Sequence, residues 1–406
     1  FDMKNIILFD DDSREHFLPL TFTRPVGELR IGILTIREKW EKWLDGKASY
    51  ITQEYLNDCF PINIESDNYI INSSVLPSHQ LCSIVRNLQI SEAVLKDGEL
   101  IATRLNEKQI KKLMKDEEIE ELKGYELEDT PLFRLKGLTD LFQRNEEAIQ
   151  SDFNLITNDR VSQSLSESNL INGAEHIFVE EGAEVECSIL NASTGPIYIG
   201  KNAKILEGSM LRGPIAIGDN TVIKMGAKIY GGTTFGPYCK AGGEIKNSIF
   251  QGYTNKGHDG YLGDSILGEW CNLGAGTNVS NLKNNYSTVK QWNYSESTMK
   301  DTELQFCGLV MGDYSKSSIA TKFNTGTVVG VCANVFGDGF PPKFVPSFTW
   351  GNDCKETFVL EKGFEMIERN RARRALELSV EERLMLVKVF EETTKHRVWE
   401  KQTIAV

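Results

Sequence analysis

An apolar residue recurs at every sixth position through eight successive steps of this chain. The series is Ile199, Ile205, Leu211, Ile217, Ile223, Ile229, Phe235 and Ala241. A second series, of small or branched residues, follows four places later: Ala203, Ser209, Thr221, Ala227, Thr233 and Cys239. A helix repeats every 3.6 residues and a strand every two, so neither produces a period of six. A unit that turns a corner after each short strand does, and three units close one triangular coil of a parallel β-solenoid.

The hexapeptide pattern begins near residue 177 and returns until about residue 345, with interruptions at 250–260 and 284–302. A solenoid accepts insertions where the chain bulges from a corner, and such loops tend to form its binding face. We therefore predict four parts: an α/β domain (1–155), a linker (156–176), a β-helix (177–345) and a tail with a helix (346–406).

The amino-terminal part alternates apolar strand signals at 6–9 and 69–71 with a helical pattern at 33–44. Such alternation is typical of an α/β sandwich with a largely parallel sheet. In the tail, residues 379–382 form a capping box that opens a helix. We expect Leu384, Val387 and Phe390 to share one face of this helix, which would cover the open end of the solenoid.

The charge and cysteine content of the chain limit the kinds of partner and the location that we expect for it. Lysines and arginines number 45 and acidic residues 58, which gives a net charge of −13 and argues against nucleic-acid or anionic-membrane partners. A local basic pocket for a phosphorylated small molecule is compatible with this charge. The eight cysteines form no CxxC pair, which indicates reduced thiols and a cytoplasmic location. No apolar stretch approaches the length of a membrane-spanning helix, so we predict no membrane span.

The first interruption carries an unusual sequence. Residues 255–264 read N-K-G-H-D-G-Y-L-G-D, and residues 272–277 read N-L-G-A-G-T. This block resembles the acetyltransferase half of the bifunctional GlmU enzymes, which make UDP-N-acetylglucosamine and read K-A-G-H-x-x-Y-L-G-D and then N-x-G-A-G-T. The spacing is reproduced without a gap. The resemblance covers roughly residues 177–345 and is strongest over 240–281.

The resemblance implies acetyl transfer from acetyl-CoA to the amine of an amino-sugar 1-phosphate, within sugar-nucleotide and cell-envelope biosynthesis. His258 matches the base that deprotonates the amine, a role suited to imidazole. The other implied positions bind substrates: Lys228 and Lys246 the sugar phosphate, Tyr261 and Asn272 the amino sugar, and the backbone of Ala275 the acetyl-CoA thioester. At the position of Lys228 the family has arginine, so a bidentate fork is replaced by a point charge. The resemblance further implies a left-handed β-helix and a homotrimer with sites between neighbouring prisms.

Residues 18–29 resemble a stretch of the sugar-1-phosphate nucleotidyltransferases, which implies that Arg24 handles phosphates of a nucleoside triphosphate and a sugar phosphate. Arg14 and Arg30 are further candidates. The family's Gly-rich loop is replaced by Asp10, Asp11 and Asp12, its motif lysine by Val26, and the strand end that should carry a metal-binding aspartate reads N-S-S at 72–74. The three carboxylates either hold Mg²⁺ or form a solvated acidic turn.

Other functions are compatible with parts of the sequence. The solenoid would also suit an acyltransferase acting on another nucleotide sugar, or a non-catalytic regulatory or scaffolding protein with a degenerate head domain. A γ-class carbonic anhydrase needs three histidine ligands for zinc, but His258 alone among five histidines lies well inside the coil. The arginines at 369, 371, 373 and 374 either meet coenzyme A phosphates or form a solvated helix face.

Overall fold

The computed structural model describes residues 3–115, 117–119 and 122–402. Its contacts divide the chain into two compact units. The first unit contains the residues up to 17 together with 24–29 and 34–137, and the second contains 18–23, 30–33 and the chain from 138 onward. No helix in the described ranges combines the length and the apolar character that crossing a membrane requires.

The first unit is a mixed α/β structure. Its strands are β1 (Lys4–Phe9), β2 (Gly46–Ile51), β3 (Asn68–Asn72), β4 (Val75–Leu76), β5 (Glu92–Lys96), β6 (Glu99–Leu105), β7 (Lys123–Glu126) and β8 (Phe133–Arg134). Its helices are α1 (Ile36–Leu44), α2 (His79–Asn87) and α3 (Glu107–Leu113), with 3-10 turns at Asp12–Phe17, Val26–Glu28 and Glu54–Leu56. The main sheet has the order β2-β1-β3-β6-β5-β7, and β4 pairs with β8. Strands β1, β2 and β3 are parallel, whereas β6 is antiparallel to both β3 and β5, so the sheet is less parallel than predicted.

Local sequence explains the best-defined helix of this unit. Thr35 accepts a hydrogen bond from the backbone of Glu38 and Glu38 accepts one from the backbone of Thr35, which forms a capping box at the start of α1. Ile36, Trp40 and Leu44 lie on its buried face. The helix begins later than the apolar pattern at 33–44 predicts, because the cap residue sets the first turn.

The second unit is dominated by three parallel sheets that form the faces of a prism. Sheet A consists of Ile177–Val179, Ile197–Ile199, Ile215–Ile217, Thr233–Phe235, Ile249–Gly252, Ile266–Glu269, Val310–Met311, Val328–Val329 and Phe344–Val345. Sheet B consists of Glu184–Val185, Lys204–Ile205, Val222–Ile223, Lys240–Ala241, Asn255–Lys256, Asn272–Leu273, Lys316–Ser317, Asn334–Val335, Thr349–Trp350 and the antiparallel Glu356–Thr357. Sheet C consists of Leu170–Asn172, Ile189–Asn191, Met210–Arg212, Lys228–Ile229, Glu244–Lys246 and Tyr261–Gly263, and the pair Asn278–Val279 and Lys322–Phe323 follows it.

The predicted parallel solenoid is confirmed by the register of these sheets. Ile199 pairs with Ile217, and Ile205 pairs with Ile223, so one coil consists of three hexapeptides. All eight residues of the first apolar series are buried in one continuous core, and the second, small-residue series is buried as well. The hand of the coil stays a prediction.

The two interruptions differ in structure. Residues 250–260 are not an insertion, because Asn255–Lys256 is a strand of sheet B whose Lys256 pairs with Ala241 and is 2% exposed. The apolar rule misses this strand since a lysine with a buried stem takes the inward position. Residues 284–302 do extend a coil: the strand after Ile266 in sheet A begins only at Val310, beyond the antiparallel hairpin Lys290–Asn293 and Thr298–Asp301.

Helices complete the second unit. They are α4 (Leu138–Gln143), α5 (Asn145–Thr157), α6 (Leu360–Ala372), α7 (Val380–Thr393) and α8 (Val398–Gln402), with 3-10 turns at Leu20–Phe22, Ala174–His176 and Thr394–His396. Helix α5 contacts sheet A, where the Asn145 amide donates to the carbonyl of Gly232 and to the Thr234 hydroxyl at 2.7 and 2.9 Å.

The predicted capping box of the tail is present at the start of α7, between Ser379 and Glu382. The predicted apolar face is wrong: the buried residues are Met385, Leu386, Val389 and Thr393, and Leu384 is 58% exposed. Apolar residues occur on both sides of α7, so periodicity alone does not identify the docked side. The ring of Phe390 lies 4.9 Å from that of Phe348 in the last coil, so α7 does cover this end of the prism.

One alternative for the four tail arginines is a shared solvated helix face. This prediction is wrong for Arg371, whose side chain is largely buried. Its guanidinium bonds Glu382 at 2.7 and 2.8 Å and the Tyr314 hydroxyl at 2.6 Å, and its side chain is 13% exposed. Arg369 is 80% exposed, as a solvated face requires. Arg371 thus links helix α6 to the side of the prism.

The cysteines form no disulfide within the part of the chain that the structure describes. Cys239, Cys271 and Cys332 are buried in the second unit, whereas Cys187 is exposed. Burial raises the pKa of Cys239 to about 12 and raises the pKa of Cys271 and Cys332 as well. Cys239 therefore serves the packing role that its position in the small-residue series predicts.

Candidate functional site

The edge of the prism where the chain passes from sheet B to sheet C brings several motif residues into line. We call this corner the B–C edge. Lys224 donates its N–H to the carbonyl of Ala241, and Gly242 donates to that of Lys256, each at 2.7 Å. Gly276 donates to the carbonyl of Asp259 at 3.0 Å. Since coils stack about 4.8 Å apart, these bonds align the corners that carry Lys224, His258 and Ala275 along one edge.

His258 occupies the corner between the strands Asn255–Lys256 and Tyr261–Gly263, and its side chain is exposed. Its imidazole makes no hydrogen bond to the residues that the structure describes. Its carbonyl, by contrast, accepts a hydrogen bond from the Lys256 Nζ at 2.7 Å. The corner therefore fixes the backbone of His258 and leaves the ring available to an incoming group.

The buried side chain of Lys256 hydrogen-bonds to two adjacent corners of the prism, those of Gly242 and His258. Besides His258, its Nζ donates to the carbonyl of Gly242 at 2.9 Å. Burial lowers the pKa of this ammonium to about 8, while Asp259 acts in the opposite direction. A buried ammonium needs such acceptors, because an unpaired one is strongly disfavoured in an apolar core. We interpret Lys256 as the residue that positions the His258 corner.

The outer face of sheet C carries three predicted binding residues. Lys228 pairs with Glu244, and Glu244 pairs with Tyr261, so these side chains are successive rungs of one ladder. Lys246 lies two residues after Glu244 in the same strand, which places it about 7 Å along the same face. Its Nζ lies 5.5 Å from the centre of the Phe306 ring. Sheet C thus presents two cations, one carboxylate and one phenol together.

A buried amide network fixes the ring of Tyr261. The amide nitrogen of Asn281 donates to the Tyr261 hydroxyl at 3.1 Å and to the carboxylate of Asp264 at 2.6 Å. Asn247 donates to the other oxygen of Asp264 at 2.8 Å. Burial raises the pKa of Tyr261, with Asp264 adding to the effect, so the phenol stays protonated and can donate to a sugar oxygen.

Asn272 and Ala275 belong to the next coil. Asn272 lies in sheet B, where it pairs with Asn255 on one side and Lys316 on the other. Its side chain is therefore on a different face of the prism from Lys246 and Tyr261. The carbonyl of Ala275 accepts from Ala320 at 2.7 Å, and its N–H has no partner among the described residues. That N–H is a candidate donor to a thioester oxygen.

The first unit holds the predicted metal residues. The Asp10 carboxylate accepts from the Val26 N–H at 3.1 Å and the Thr52 hydroxyl at 2.7 Å, and burial raises its pKa to about 6. Asp11 accepts from Asn72 at 2.7 Å and from the Arg134 guanidinium at 3.3 Å. Although burial acts against it, hydrogen bonds from Ser13 and Asn72 hold the pKa of Asp11 below its ordinary value.

These carboxylates do not fit a divalent-cation site. Their oxygens face N–H, hydroxyl and guanidinium donors, which compete with a cation for the same lone pairs. Within the described ranges, no group of three or more imidazole, thiol or carboxylate side chains could hold a metal ion. The turn is not a solvated acidic turn either, since Asp10 and Asp11 accept hydrogen bonds from neighbouring elements.

The three arginines considered for phosphate binding do not all belong to this unit. Arg14 and Arg24 do, and they are 7% and 6% exposed. Arg30 belongs to the second unit, where its backbone N–H donates to the side-chain oxygen of Gln251 at 2.6 Å. Arg30 and the acidic turn therefore belong to different units.

A cavity of about 660 Å³ in the first unit is lined by Lys4, Asn5, Lys47, Asn63 and Tyr69, among others. These residues lie toward the starts of β1, β2 and β3. Ligands of parallel sheets bind beyond the carboxyl ends of the strands, so this cavity is at the opposite end from the expected site.

Sequence reasoning missed three contributors to the prism site. Lys224 follows the apolar position Ile223 just as Gly242 follows Ala241, so aligning the sequence in rows of three hexapeptides would have found it. Glu244 is visible only once the coils are paired. Asn281 carried no signal, since it comes after a coil boundary and belongs to no repeat position.

Comparison with known proteins gives partial matches. Residues 6–161 match the family model described as sugar nucleotidyl transferase. The chain is 36% identical to the bifunctional protein GlmU of Methanocaldococcus jannaschii over 87 residues, which are 21% of this chain and 21% of that protein. It is 34% identical to the bifunctional protein GlmU of Methanococcus aeolicus over 87 residues, 21% of this chain and 20% of that protein. The chain thus matches about a fifth of the length of these curated relatives. Together the matches support a GlmU-like or sugar nucleotidyl transferase relationship, without indicating a specific member.

Proposed function

We propose that the B–C edge carries an acetyltransferase site that acts on an amino-sugar 1-phosphate. The observation that supports the proposal is that His258 and the N–H of Ala275, which has no partner among the described residues, lie on adjacent corners joined by the hydrogen bond from Gly276 to Asp259. The substrate amine attacks the carbonyl carbon of the acetyl-CoA thioester, a C–N bond forms, and the C–S bond breaks. His258 accepts the proton from the amine, and coenzyme A leaves as the thiolate.

The remaining residues have binding roles in this proposal. Lys228 and Lys246 bind the sugar phosphate. Tyr261 donates to the amino sugar, and the Ala275 N–H stabilises negative charge on the thioester oxygen. Asn272 lies on another face, so its role requires a neighbouring chain at the site, as in the homotrimer that the resemblance implies.

The experiment incubates the purified full chain with acetyl-CoA and glucosamine 1-phosphate and follows the release of free thiol. We expect His258→Ala to lower the rate by about 10²- to 10⁴-fold, which is the usual contribution of a general base. His176→Ala is the matched control, because His176 is an exposed histidine in a different coil. Equal, measurable rates for wild type and His258→Ala would contradict the role of His258 as the base, whereas no thiol release by the wild type would contradict the proposal and favour a scaffolding protein. Thiol release with a panel of nucleotide sugars as acceptors tests the alternative, an acyltransferase that acts on another nucleotide sugar. Sedimentation equilibrium measures the oligomeric state, and a monomer mass would contradict the trimer.

A second candidate function, nucleotidyl transfer, is favoured by the family match over residues 6–161. Arg24 would bind phosphates of the nucleotide or sugar phosphate there. Since the acidic turn does not fit a metal, we derive no metal-assisted step. Pyrophosphate release from UTP or dTTP with a sugar 1-phosphate tests this function, and a rate at the no-enzyme level would contradict it.

A further inference from the structure

Four cations converge beside the prism without an ion-pair partner among the described residues. They are Lys224 and Lys240 of the coils and Arg373 and Arg374 at the end of α6. Some surface cations of this unit pair with carboxylates, such as Lys204 with Glu184, and others do not. What distinguishes these four is their proximity, since the charges of Arg374, Lys224 and Arg373 all act on Lys240.

Backbone geometry places these residues together. Arg374 donates to the carbonyl of Tyr238 at 3.3 Å, and its guanidinium carbon lies 5.4 Å from the centre of the Tyr238 ring. Lys240 follows two residues later on the outer face of sheet B, where it pairs with Val222. Lys224 lies two residues beyond Val222, on the neighbouring rung. The cations thus extend from one side of sheet B to the B–C edge.

The cations are close enough to repel one another. Partial burial lowers the pKa of Lys240, and the charges of Arg374, Lys224 and Arg373 lower it further. The carboxyl end of α6 favours the two arginines through the helix dipole. That dipole does not account for the two lysines, which come from separate coils. An anion that binds all four would relieve the repulsion.

The spacing indicates which anion fits. Tyr238, the anchor of Arg374, and Gly242, the neighbour of Lys224, are four residues apart, which corresponds to roughly 13 Å of extended chain. One phosphate contacts only one or two cations at hydrogen-bond distance, whereas linked phosphates can meet several along this line. The adjacent stack of Tyr238 and Tyr253, with ring centres 5.1 Å apart, continues the surface with aromatic rings.

We propose that Lys224, Lys240, Arg373 and Arg374 form a binding site for the diphosphate group of a nucleotide. Two sources carry such a group: a nucleoside diphosphate sugar and coenzyme A. The site does not depend on acetyl transfer, so its test is a binding measurement without turnover.

Isothermal titration calorimetry of the full chain with inorganic pyrophosphate tests the site. We expect one site per chain, an affinity that falls with added salt, and at least tenfold weaker binding in Lys240→Gln and in Arg373→Gln. Arg369→Gln is the matched control on the same helix, because Arg369 is 80% exposed and near Glu365 instead. Melting temperatures of all variants exclude unfolding as the cause of lost binding.

Three further titrations use orthophosphate, uridine 5′-diphosphate and coenzyme A. Orthophosphate should bind at least tenfold more weakly than pyrophosphate. Uridine 5′-diphosphate and coenzyme A represent the two sources of the diphosphate group. The source is the ligand that binds to the wild type and binds more weakly to Lys240→Gln. Absence of pyrophosphate binding, or binding that Lys240→Gln and Arg373→Gln leave unchanged, would overturn the proposal. Equal binding of orthophosphate would overturn its diphosphate specificity.

Discussion

The coils between Ile197 and Ala241 differ from those between Glu244 and Val279 in both spacing and core. In the first group each strand pairs with the strand that follows three complete hexapeptides later. The first residue of each hexapeptide, which we call its head, is buried in the core and apolar. In the second group each coil is one residue shorter, as the pairing of Glu244 with Tyr261 and of Ile249 with Ile266 shows, and Lys256 takes a head position. The GlmU-like motif lies in the second group. The regular repeat thus builds the prism, while the irregular coils carry the candidate site residues.

The largest expected effect is on the regular coils. Ile217→Ala should lower the free energy of unfolding by about 2–5 kcal/mol, because it leaves a cavity in a fully buried position. Ile189→Ala is the control, since Ile189 is 43% exposed on sheet C. Urea unfolding followed by circular dichroism measures both. A loss below about 1 kcal/mol for Ile217→Ala would mean that the heads do not hold the coils together.

The charged head gives the second coil group a pH dependence that the first lacks. Burial lowers the folded pKa of Lys256 to about 8, from 10.5 in the unfolded chain. Between these values the unfolded chain binds more protons, so the contribution of Lys256 to stability rises with pH, by about 3 kcal/mol in total. Unfolding of wild type and Lys256→Met at pH values from 8 to 10.5 measures the difference. Parallel curves for the two proteins would show that Lys256 is not the cause.

Two glycines with positive φ test how closely the second coil group is packed. At Gly260, with φ of 132°, a Cβ would overlap the carbonyl oxygen of Thr277, whereas at Gly226, with φ of 69°, no heavy atom lies within 4 Å. Gly260→Ala should therefore cost about 1–3 kcal/mol more stability than Gly226→Ala. It should also lower the acetyl-transfer rate, because the displaced corner holds His258. Equal losses in the two variants would argue against a tightly packed corner.

The smallest expected effect concerns one hydroxyl. Tyr261→Phe removes the acceptor for Asn281, which should cost about 0.5–1.5 kcal/mol and raise KM for the sugar phosphate several-fold with little change in kcat. Tyr286→Phe is the control, because Tyr286 is 65% exposed. Steady-state kinetics measure the split, and a change confined to kcat would contradict a binding role.

Much of the prism could be predicted from sequence. The six-residue series gives the coil, its core and its register of three hexapeptides, because buried side chains alone fix those features. The capping box at Ser379 likewise gives the start of α7, since it is a local signal.

Other features depend on tertiary context. Lys256 reads as a surface residue, and only the acceptors at Gly242 and His258 explain its burial. The docked face of α7 depends on Phe348 of the last coil, which is separated from α7 in the sequence by the whole of α6. The donors around Asp10 and Asp11 come from separate elements, so the acidic run could not reveal its own partners.

The burial of cysteine thiols inside the prism has a practical consequence for enzyme assays. Cys239, Cys271 and Cys332 are held as protonated, inaccessible groups, so a chromogenic disulfide reagent used for detecting released coenzyme would leave them unmodified while the fold is intact. Cys187 is exposed and Cys59 and Cys354 are half-buried, so these three thiols would supply the background colour, and replacing them with serine would lower it. A burst of colour from the folded chain with all three replaced would report that buried thiols become exposed on the timescale of the assay.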